Sequence, residues 1–161
     1  MGKTTLIKNI VEALKDLRPV GFYTAEIRQG GIRKGFELIS LDGRKGLLSH
    51  TDIKSPKRVG KYKVDVKGFE DFLDALSFSN PSARLMVIDE IGKMECYSRQ
   101  FKNLLKEILD SEKWVIATIA FRGTGFIEEL KKRKDLRLFK ITQSNRNSML
   151  SDILREVKKD V

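Results

Sequence analysis

The stretch Leu85-Met86-Val87-Ile88-Asp89-Glu90 is an apolar run that ends abruptly in two carboxylates. Four consecutive apolar residues are typical of a strand buried on both faces, as strands are in a parallel sheet. In open α/β sheets, ligands bind beyond the carboxyl ends of the strands. The stretch therefore predicts a buried strand that presents Asp89 and Glu90 to a ligand site.

A second short stretch, Gly2-Lys3-Thr4-Thr5, begins with the last three positions of the phosphate-binding pattern G-x-x-x-x-G-K-[ST]. In that pattern the glycine lets the backbone approach the phosphates, the lysine reaches the β and γ phosphates, and the hydroxyl binds Mg²⁺. Counting back along the pattern, its first glycine would lie upstream of the given sequence. The triplet alone is a weak indication, because an ordinary helix start also explains it.

Taken together, the two stretches predict a site for a nucleoside triphosphate and Mg²⁺. Thr4 and Asp89 are the candidate metal ligands, and Lys3 is the candidate contact for the phosphates. Glu90 is the candidate base, which would orient or deprotonate an attacking water. The alternative is that Asp89 and Glu90 only begin a loop and cap the helix after Ser98.

Hydrophobic periodicity divides the chain into alternating helices and strands. The predicted helices are 2–18, 69–76, 101–109, 126–132 and 149–157, and the predicted strands are 20–28, 85–90, 114–120 and 136–141. An antiparallel hairpin is predicted over residues 36–49, around the Asp42-Gly43 turn signal. Residues 50–66 are polar and basic and give no assignment. The alternation predicts an α/β fold with a mostly parallel sheet, covered by helices on both faces.

Size and composition predict one domain over residues 1–161. Hydrophobic residues make up 40% of the chain, enough for a core, and the single cysteine fits a reducing cytoplasm. No apolar run approaches the ~18 residues that a membrane span needs. The net charge of +10 favours polyanionic partners, so nucleic acid is possible, although no nucleic-acid-binding motif supports it.

Beyond these patterns, the sequence resembles the cancer-related nucleoside-triphosphatase family, a family of P-loop enzymes, over nearly its whole length. The acidic motif with its Gly-Lys-Met-Glu tail is the most specific point of similarity. The stretches that carry the resemblance are Gly2-Lys3-Thr4-Thr5-Leu6-Ile7, Gly21-Phe22-Tyr23-Thr24-Ala25-Glu26-Ile27-Arg28, Gly35-Phe36, Asp89-Glu90-Ile91-Gly92-Lys93-Met94-Glu95, Ala117-Thr118-Ile119 and Asn145-Arg146.

The resemblance implies Mg²⁺-dependent hydrolysis of nucleoside triphosphates (ATP, GTP, CTP, UTP or TTP) to the diphosphate and phosphate, by a monomer with little preference among bases. It implies Lys3 and Glu90 as catalytic residues and Thr4 and Asp89 as metal ligands. The nucleotide-contacting residues that it implies are Gly2, Lys3, Thr4, Thr5, Val87, Ile88, Asp89, Glu90, Ile91, Gly92 and Lys93. Arg28, Arg122 and Arg146 are candidates to stabilise developing charge, each with a structural or surface role as its alternative.

The sequence departs from the family at its start. Family members begin with a strand and Gly-x-x-Gly-Val before Gly-Lys-Thr, and here Met1 stands where the Val belongs. We therefore expect the first strand to be missing through a misplaced start, since the Val codon GUG can also initiate translation. Burying about five apolar side chains of that strand would contribute on the order of 8–15 kcal/mol. A typical domain has about 5–15 kcal/mol in total, so the chain as written is expected to be poorly folded or inactive.

Two other functions stay open at this point. A P-loop kinase acting on a nucleotide or another small molecule would use the same phosphate cradle to pass the phosphoryl group to an acceptor. A non-catalytic, basic nucleic-acid-binding domain would account for the charge and for the lysines between Lys54 and Lys63. Phosphate release without any acceptor distinguishes the hydrolase from the kinase.

Overall fold

The apolar run that ends in Asp89 and Glu90 forms a strand inside the sheet of the computed structural model, which describes residues 2–123 and 125–159. The strands are β1 (Val20–Gln29), β2 (Ile32–Ser40), β3 (Lys45–His50), β4 (Arg58–Val59), β5 (Tyr62–Val64), β6 (Leu85–Ile91) and β7 (Trp114–Ile119). The helices are α1 (Gly2–Ala13), α2 (Val66–Asp74), α3 (Arg99–Asp110), α4 (Phe126–Lys131) and α5 (Arg146–Lys159). Met1, the residue at the expected Val position, lies outside the described residues.

The predicted α/β class is confirmed, but fewer strands are parallel than the sequence indicates. Within the described chain the order is β4-β5-β3-β2-β1-β6-β7, and only β1 with β6 and β6 with β7 pair in parallel. Gly30 and Gly31, both with positive φ, turn the chain tightly from β1 into β2, and the Asp42-Gly43 turn leads from β2 into β3. Short turns of this kind join antiparallel neighbours, whereas parallel pairing needs a longer crossover. The sheet is therefore mixed.

Helices cover both faces of the sheet, as predicted, and each face has its own core. On one face, Phe22 of β1 meets Phe69 and Phe72 of α2 edge-on, with ring centroids 5.8 and 5.9 Å apart. Phe22 is fully buried, whereas Tyr23, on the other side of β1, is only partly buried. On the opposite face, α1 and α5 pack against β6 through aliphatic side chains. The strand β6 is thus covered on both sides.

The strand predicted over residues 136–141 does not form. In the described part of the chain, β7 has β6 as its only neighbouring strand. Between the β7 residues Val115 and Ile116 and the segment 135–139 lies a cavity of about 450 Å³. A strand needs a paired neighbour for its backbone N–H and C=O groups. Residues 136–141 are therefore irregular in spite of their alternating pattern, because they pair with no strand of the described chain.

Two smaller points complete the fold. The basic segment that gave no assignment contains the short hairpin of β4 and β5, which extends the antiparallel side of the sheet. No helix among the described residues has both the length and the apolar character needed to cross a membrane.

Candidate functional site

The site is built where β1, β6 and β7 run in parallel, at the carboxyl end of β6. Tyr23 of β1 lies opposite Asp89, and Ala117 of β7 lies opposite Ile88. Gly21 allows β1 to approach β6 closely, since a Cβ there would lie 1.8 Å from the carbonyl oxygen of Val87. The backbone of the sheet therefore fixes where the acidic residues emerge.

Asp89 is held by two hydroxyl groups from opposite directions. Thr4 Oγ1, in the first turn of α1, donates a hydrogen bond to Asp89 Oδ2 at 2.7 Å. Thr118 Oγ1, near the end of β7, donates to Asp89 Oδ1 at 2.6 Å. Asp89 is only 4% exposed, so these bonds replace water around a buried carboxylate, which would otherwise be costly to bury. The carboxylate is thereby fixed against the start of α1.

Glu90 is more accessible than Asp89 and faces Lys3. The Lys3 Nζ atom lies 3.6 Å from Glu90 Oε2, and the two side chains are 45% and 39% exposed. An ion pair this exposed contributes only about 0–1 kcal/mol to stability. Its main effect is to keep the Lys3 and Glu90 side chains next to each other. A basic and an acidic group that remain open to solvent can each turn toward a bound substrate. The peptide bond between Asp89 and Glu90 is cis.

A short turn after β6 lies next to the carboxylate of Glu90. Gly92 is buried, and a Cβ atom at this position would lie 3.1 Å from Glu95 Oε1 and 3.3 Å from Glu90 Oε1. Glu95 begins a single 3₁₀ turn, Glu95–Tyr97, and is 4% exposed. Burial raises the pKa of Glu95 to about 8, and the nearby charge of Glu90 adds to this shift. At neutral pH, Glu95 is therefore mostly protonated.

The other sequence-predicted contacts occupy different positions around this centre. Gly2 is the first residue of α1, and Thr5 is exposed on its first turn. Val87 and Ile88 are fully buried, one in each core, so their side chains support β6 from within. Ile91 is also buried, whereas Lys93 is exposed on the turn. The structure thus brings Lys3, Thr4, Asp89 and Glu90 together and leaves the remainder as supporting or flanking residues.

The three candidate arginines are not bonded to this centre. Arg28 pairs with Glu26 at 2.7 Å on the β1–β2 hairpin and also donates to the carbonyl oxygen of Gly31. Arg122 is exposed in the loop after β7, and Arg146 is exposed at the start of α5. Within residues 2–123 and 125–159, none of the three has an ion pair or hydrogen bond with Lys3, Asp89 or Glu90.

Two residues of the site had no functional role in the sequence prediction. Thr118 and Glu95 were each part of a stretch that carries the family resemblance, with no role of their own. Thr118 could have been found as a polar residue close to the end of an apolar strand, at the same sheet edge as Asp89. No local pattern reveals the burial of Glu95, because it depends on how the turn packs against other elements.

Comparison with known proteins gives consistent matches over almost the whole chain. A family model described as NTPase matches residues 1–154. The nucleoside-triphosphatase THEP1 of a Thermotoga species (strain RQ2) is 45% identical over 159 residues, which cover 98% of this chain and 90% of that protein.

Solved structures agree with this similarity. The crystal structure of THEP1 from Aquifex aeolicus superimposes with a TM-score of 0.82 at 36% identity, covering 96% of this chain and 92% of that one. The solution structure of a human cancer-related nucleoside triphosphatase gives a TM-score of 0.81 at 38% identity, with 100% and 94% coverage. The mixed sheet with its covering helices is therefore shared with proteins of clear sequence similarity.

Proposed function

Because the chain belongs to the nucleoside-triphosphatase family, we propose that it hydrolyses nucleoside 5′-triphosphates to the diphosphate and phosphate between the start of α1 and the end of β6. One observation carries the location of the site. The hydrogen bond from Thr4 to Asp89 and the ion pair of Lys3 with Glu90 join two motifs that are 85 residues apart in the sequence. The candidate phosphate-binding residues and the acidic residues are therefore in contact with one another at the carboxyl end of β6.

The residues at this point of contact fit a Mg²⁺ ion. Thr4 and Asp89 supply a hydroxyl and a carboxylate oxygen, which are the hard ligands that Mg²⁺ takes. In the described residues, no group of three or more His, Cys, Asp or Glu side chains could hold a metal ion. This fits Mg²⁺, which is usually bound through one or two protein groups together with substrate phosphates. Once bound, Mg²⁺ would offset the negative charge of the β and γ phosphates.

The protein side chains divide the remaining work between them. Lys3 turns from Glu90 to the phosphates and offsets the charge that develops as the γ-phosphoryl group is transferred. Glu90 orients the attacking water and accepts its proton. The water oxygen forms a bond to the γ-phosphorus, and the bond from that phosphorus to the β–γ bridging oxygen breaks. Thr118 keeps Asp89 in place without touching the substrate.

We also propose that the enzyme accepts ATP, GTP, CTP, UTP and TTP with little preference. The contacts that define the site, at Lys3, Thr4, Asp89 and Glu90, all serve the phosphate end of the substrate. The triphosphate is common to all five nucleotides, so these contacts do not distinguish one base from another. Comparing kcat/KM across the five nucleotides tests this, and a preference of more than about 1.4 kcal/mol, or tenfold, for one base would contradict it.

The central experiment measures phosphate release from ATP with Mg²⁺ and no acceptor. Glu90→Gln keeps the shape of the side chain but cannot accept a proton, so we expect kcat to fall by about 10²–10⁴-fold while nucleotide binding persists. Glu26→Gln is the matched control, because Glu26 also pairs with a cation but lies on the β1–β2 hairpin. It should leave kcat unchanged. Phosphate transfer only in the presence of an acceptor would make the protein a kinase instead.

A further inference from the structure

Glu95 is a buried carboxyl group next to the site that the proposed reaction does not use. A buried acid is normally costly, and proteins keep such groups paired or neutral. Among residues 2–123 and 125–159, no basic side chain forms an ion pair with Glu95. Burial is the main reason that the pKa of Glu95 rises to about 8. The negative charges of Glu90 and Asp89 raise it further. The backbone N–H groups of Gly92 and of Glu95 itself offset only part of this shift.

The geometry brings the carboxyl group of Glu95 close to that of Glu90. Both carboxyl groups approach the same side of Gly92, since their Oε1 atoms lie 3.1 and 3.3 Å from the point where a Cβ would stand. Glu90 reaches outward to Lys3, while Glu95 lies behind it and is almost completely shielded from solvent. A Cβ atom at position 92 would press on both carboxyl groups, and one or both would have to shift by a few tenths of an ångström.

The turn that carries Glu95 is fastened on several sides. Ser98 caps α3 by accepting from the Phe101 N–H at 3.0 Å, and its hydroxyl donates to Glu70 of α2 at 2.6 Å. The hydroxyl of Tyr97 donates to the carbonyl oxygen of Arg58 at 2.8 Å. Contacts with α2, α3 and β4 therefore restrict how far the turn can move. A rigid turn keeps the carboxyl group of Glu95 in a fixed place beside that of Glu90.

We propose that Glu95 is a positioning residue for Glu90: its buried carboxyl group, seated across Gly92, holds the Glu90 carboxylate toward the substrate. This proposal rests on the proposed function, in which Glu90 takes the proton of the attacking water. Removing the support lets Glu90 turn back into the space behind it. A displacement of about 1 Å at a reacting group can lower a rate by about a hundredfold.

The charges around Glu95 predict how the support depends on pH. Asp89 and Glu90 of β6 lie on its site side, and Lys3 of α1 faces Glu90. Glu70 of α2 and Lys102 of α3 flank the same turn. Cys96 keeps its proton throughout this range, because burial raises the pKa of its thiol to about 11. Above about pH 8, Glu95 ionises, and its charge then repels Glu90 instead of supporting it.

The test compares Glu95→Ala with Glu95→Gln in the full chain, using Mg²⁺ and ATP. Glu95→Ala should lower kcat by about tenfold to a hundredfold with little change in KM, because substrate contacts remain. Glu95→Gln keeps the volume and stays neutral at every pH, so it should recover most of this loss. The decline in kcat that the wild type shows above about pH 8 should be absent from Glu95→Gln.

The matched control is Glu70→Gln, which alters the far side of the same turn without approaching Glu90. It should keep the kcat and the pH profile of the wild type. If Glu95→Ala does not fold, the pH profile of Glu95→Gln decides alone. The proposal is overturned if Glu95→Gln keeps the alkaline decline, or if Glu95→Ala lowers thermal stability without lowering kcat. If Glu90→Gln is as active as the wild type, the proposed function fails instead.

Discussion

The parallel and antiparallel parts of the sheet differ in what their ends carry. In the parallel part, β1, β6 and β7 are joined side by side, and the residues that hold Asp89 and Glu90 collect at their carboxyl ends. In the antiparallel part, β2 and the later residues of β1 carry surface contacts such as the pairing of Glu26 with Arg28 and Arg33. The parallel part therefore carries the proposed site, and the antiparallel part extends the sheet and its core.

The border between the two parts runs along β1. Tyr23 lies opposite Asp89, yet β1 continues to Gln29, so about 20 Å of the β1–β2 hairpin extends beyond the acidic end of β6. Arg28 lies on this extension, where Glu26 and the Gly31 carbonyl hold its guanidinium. The stretch from Gly21 to Arg28 is continuous in the sequence, but only its first residues lie beside the site. Its later residues belong to the hairpin that leads away from the site. Substitutions on the two sides of the border should separate activity from stability.

The largest effect is expected where β1 meets β6. Gly21→Ala would put a Cβ 1.8 Å from the Val87 carbonyl oxygen, and the nearest atoms all belong to the backbone of β6. Neither strand can yield without breaking the ladder between them, so the cost should exceed about 3 kcal/mol, a large share of a typical domain's stability. Urea unfolding measures this loss, and activity should disappear with it.

Gly43→Ala is the matched control for Gly21→Ala on the antiparallel side. Gly43 has a φ of +93° but no atom within 4 Å of the added Cβ, so only backbone strain of about 1–2 kcal/mol is expected. Equal losses for the two variants would mean that the junction of β1 and β6 is no more constrained than a surface turn. The comparison between the two parts of the sheet would then break down.

The centre of the site was predictable from the sequence because its residues lie at the ends of strongly patterned elements. In an α/β fold, ligands bind at the carboxyl ends of strands, which is where a buried run ending in Asp89 places its carboxylate. A helix whose first turn carries Lys3 is expected at the same end of the sheet. The grouping of Lys3, Thr4, Asp89 and Glu90 followed from those two patterns. Their catalytic roles stay predictions, which the variants above test.

Pairing partners and depth of burial could not be predicted in the same way. Residues 136–141 have the alternation of a strand, but whether they pair depends on which segment lies beside them. The tight turn at Gly30 and Gly31 makes β2 the antiparallel neighbour of β1. This pairing was not predicted from the sequence, and too many parallel strands were therefore expected. Glu95 resembles any surface acid in the sequence, and only packing of its turn against α2 and α3 buries it.

An intermediate effect is expected at Thr118, which joins β7 to the site. Thr118→Val keeps the shape of the side chain but removes the hydroxyl that donates to Asp89 Oδ1 at 2.6 Å. A buried carboxylate that loses one donor costs about 1–3 kcal/mol of stability. We also expect kcat to fall by about tenfold, because Asp89 is then held from one side only. Thermal unfolding and phosphate release measure the two effects.

Thr118→Ser is the matched control, because it keeps the hydroxyl and removes only a methyl group. It should retain most of the activity that Thr118→Val loses. If both variants are equally impaired, packing at the end of β7 matters more than the bond to Asp89. The role of β7 in the site would then be structural, and the contrast between the parallel and antiparallel parts would be weaker.

The smallest effect is expected in the antiparallel part, at Tyr62 of β5. Its hydroxyl accepts a hydrogen bond from Arg33 Nε at 2.8 Å, and its ring packs edge-on against Phe36 at 5.5 Å. Tyr62→Phe keeps the ring and removes the acceptor from a guanidinium that is 43% exposed and still near Glu26, so the loss should stay within about 1 kcal/mol. Turnover should match the wild type, since this contact lies on β2 and β5, away from the parallel strands. A marked fall in kcat with unchanged stability would show instead that the antiparallel part reaches the substrate.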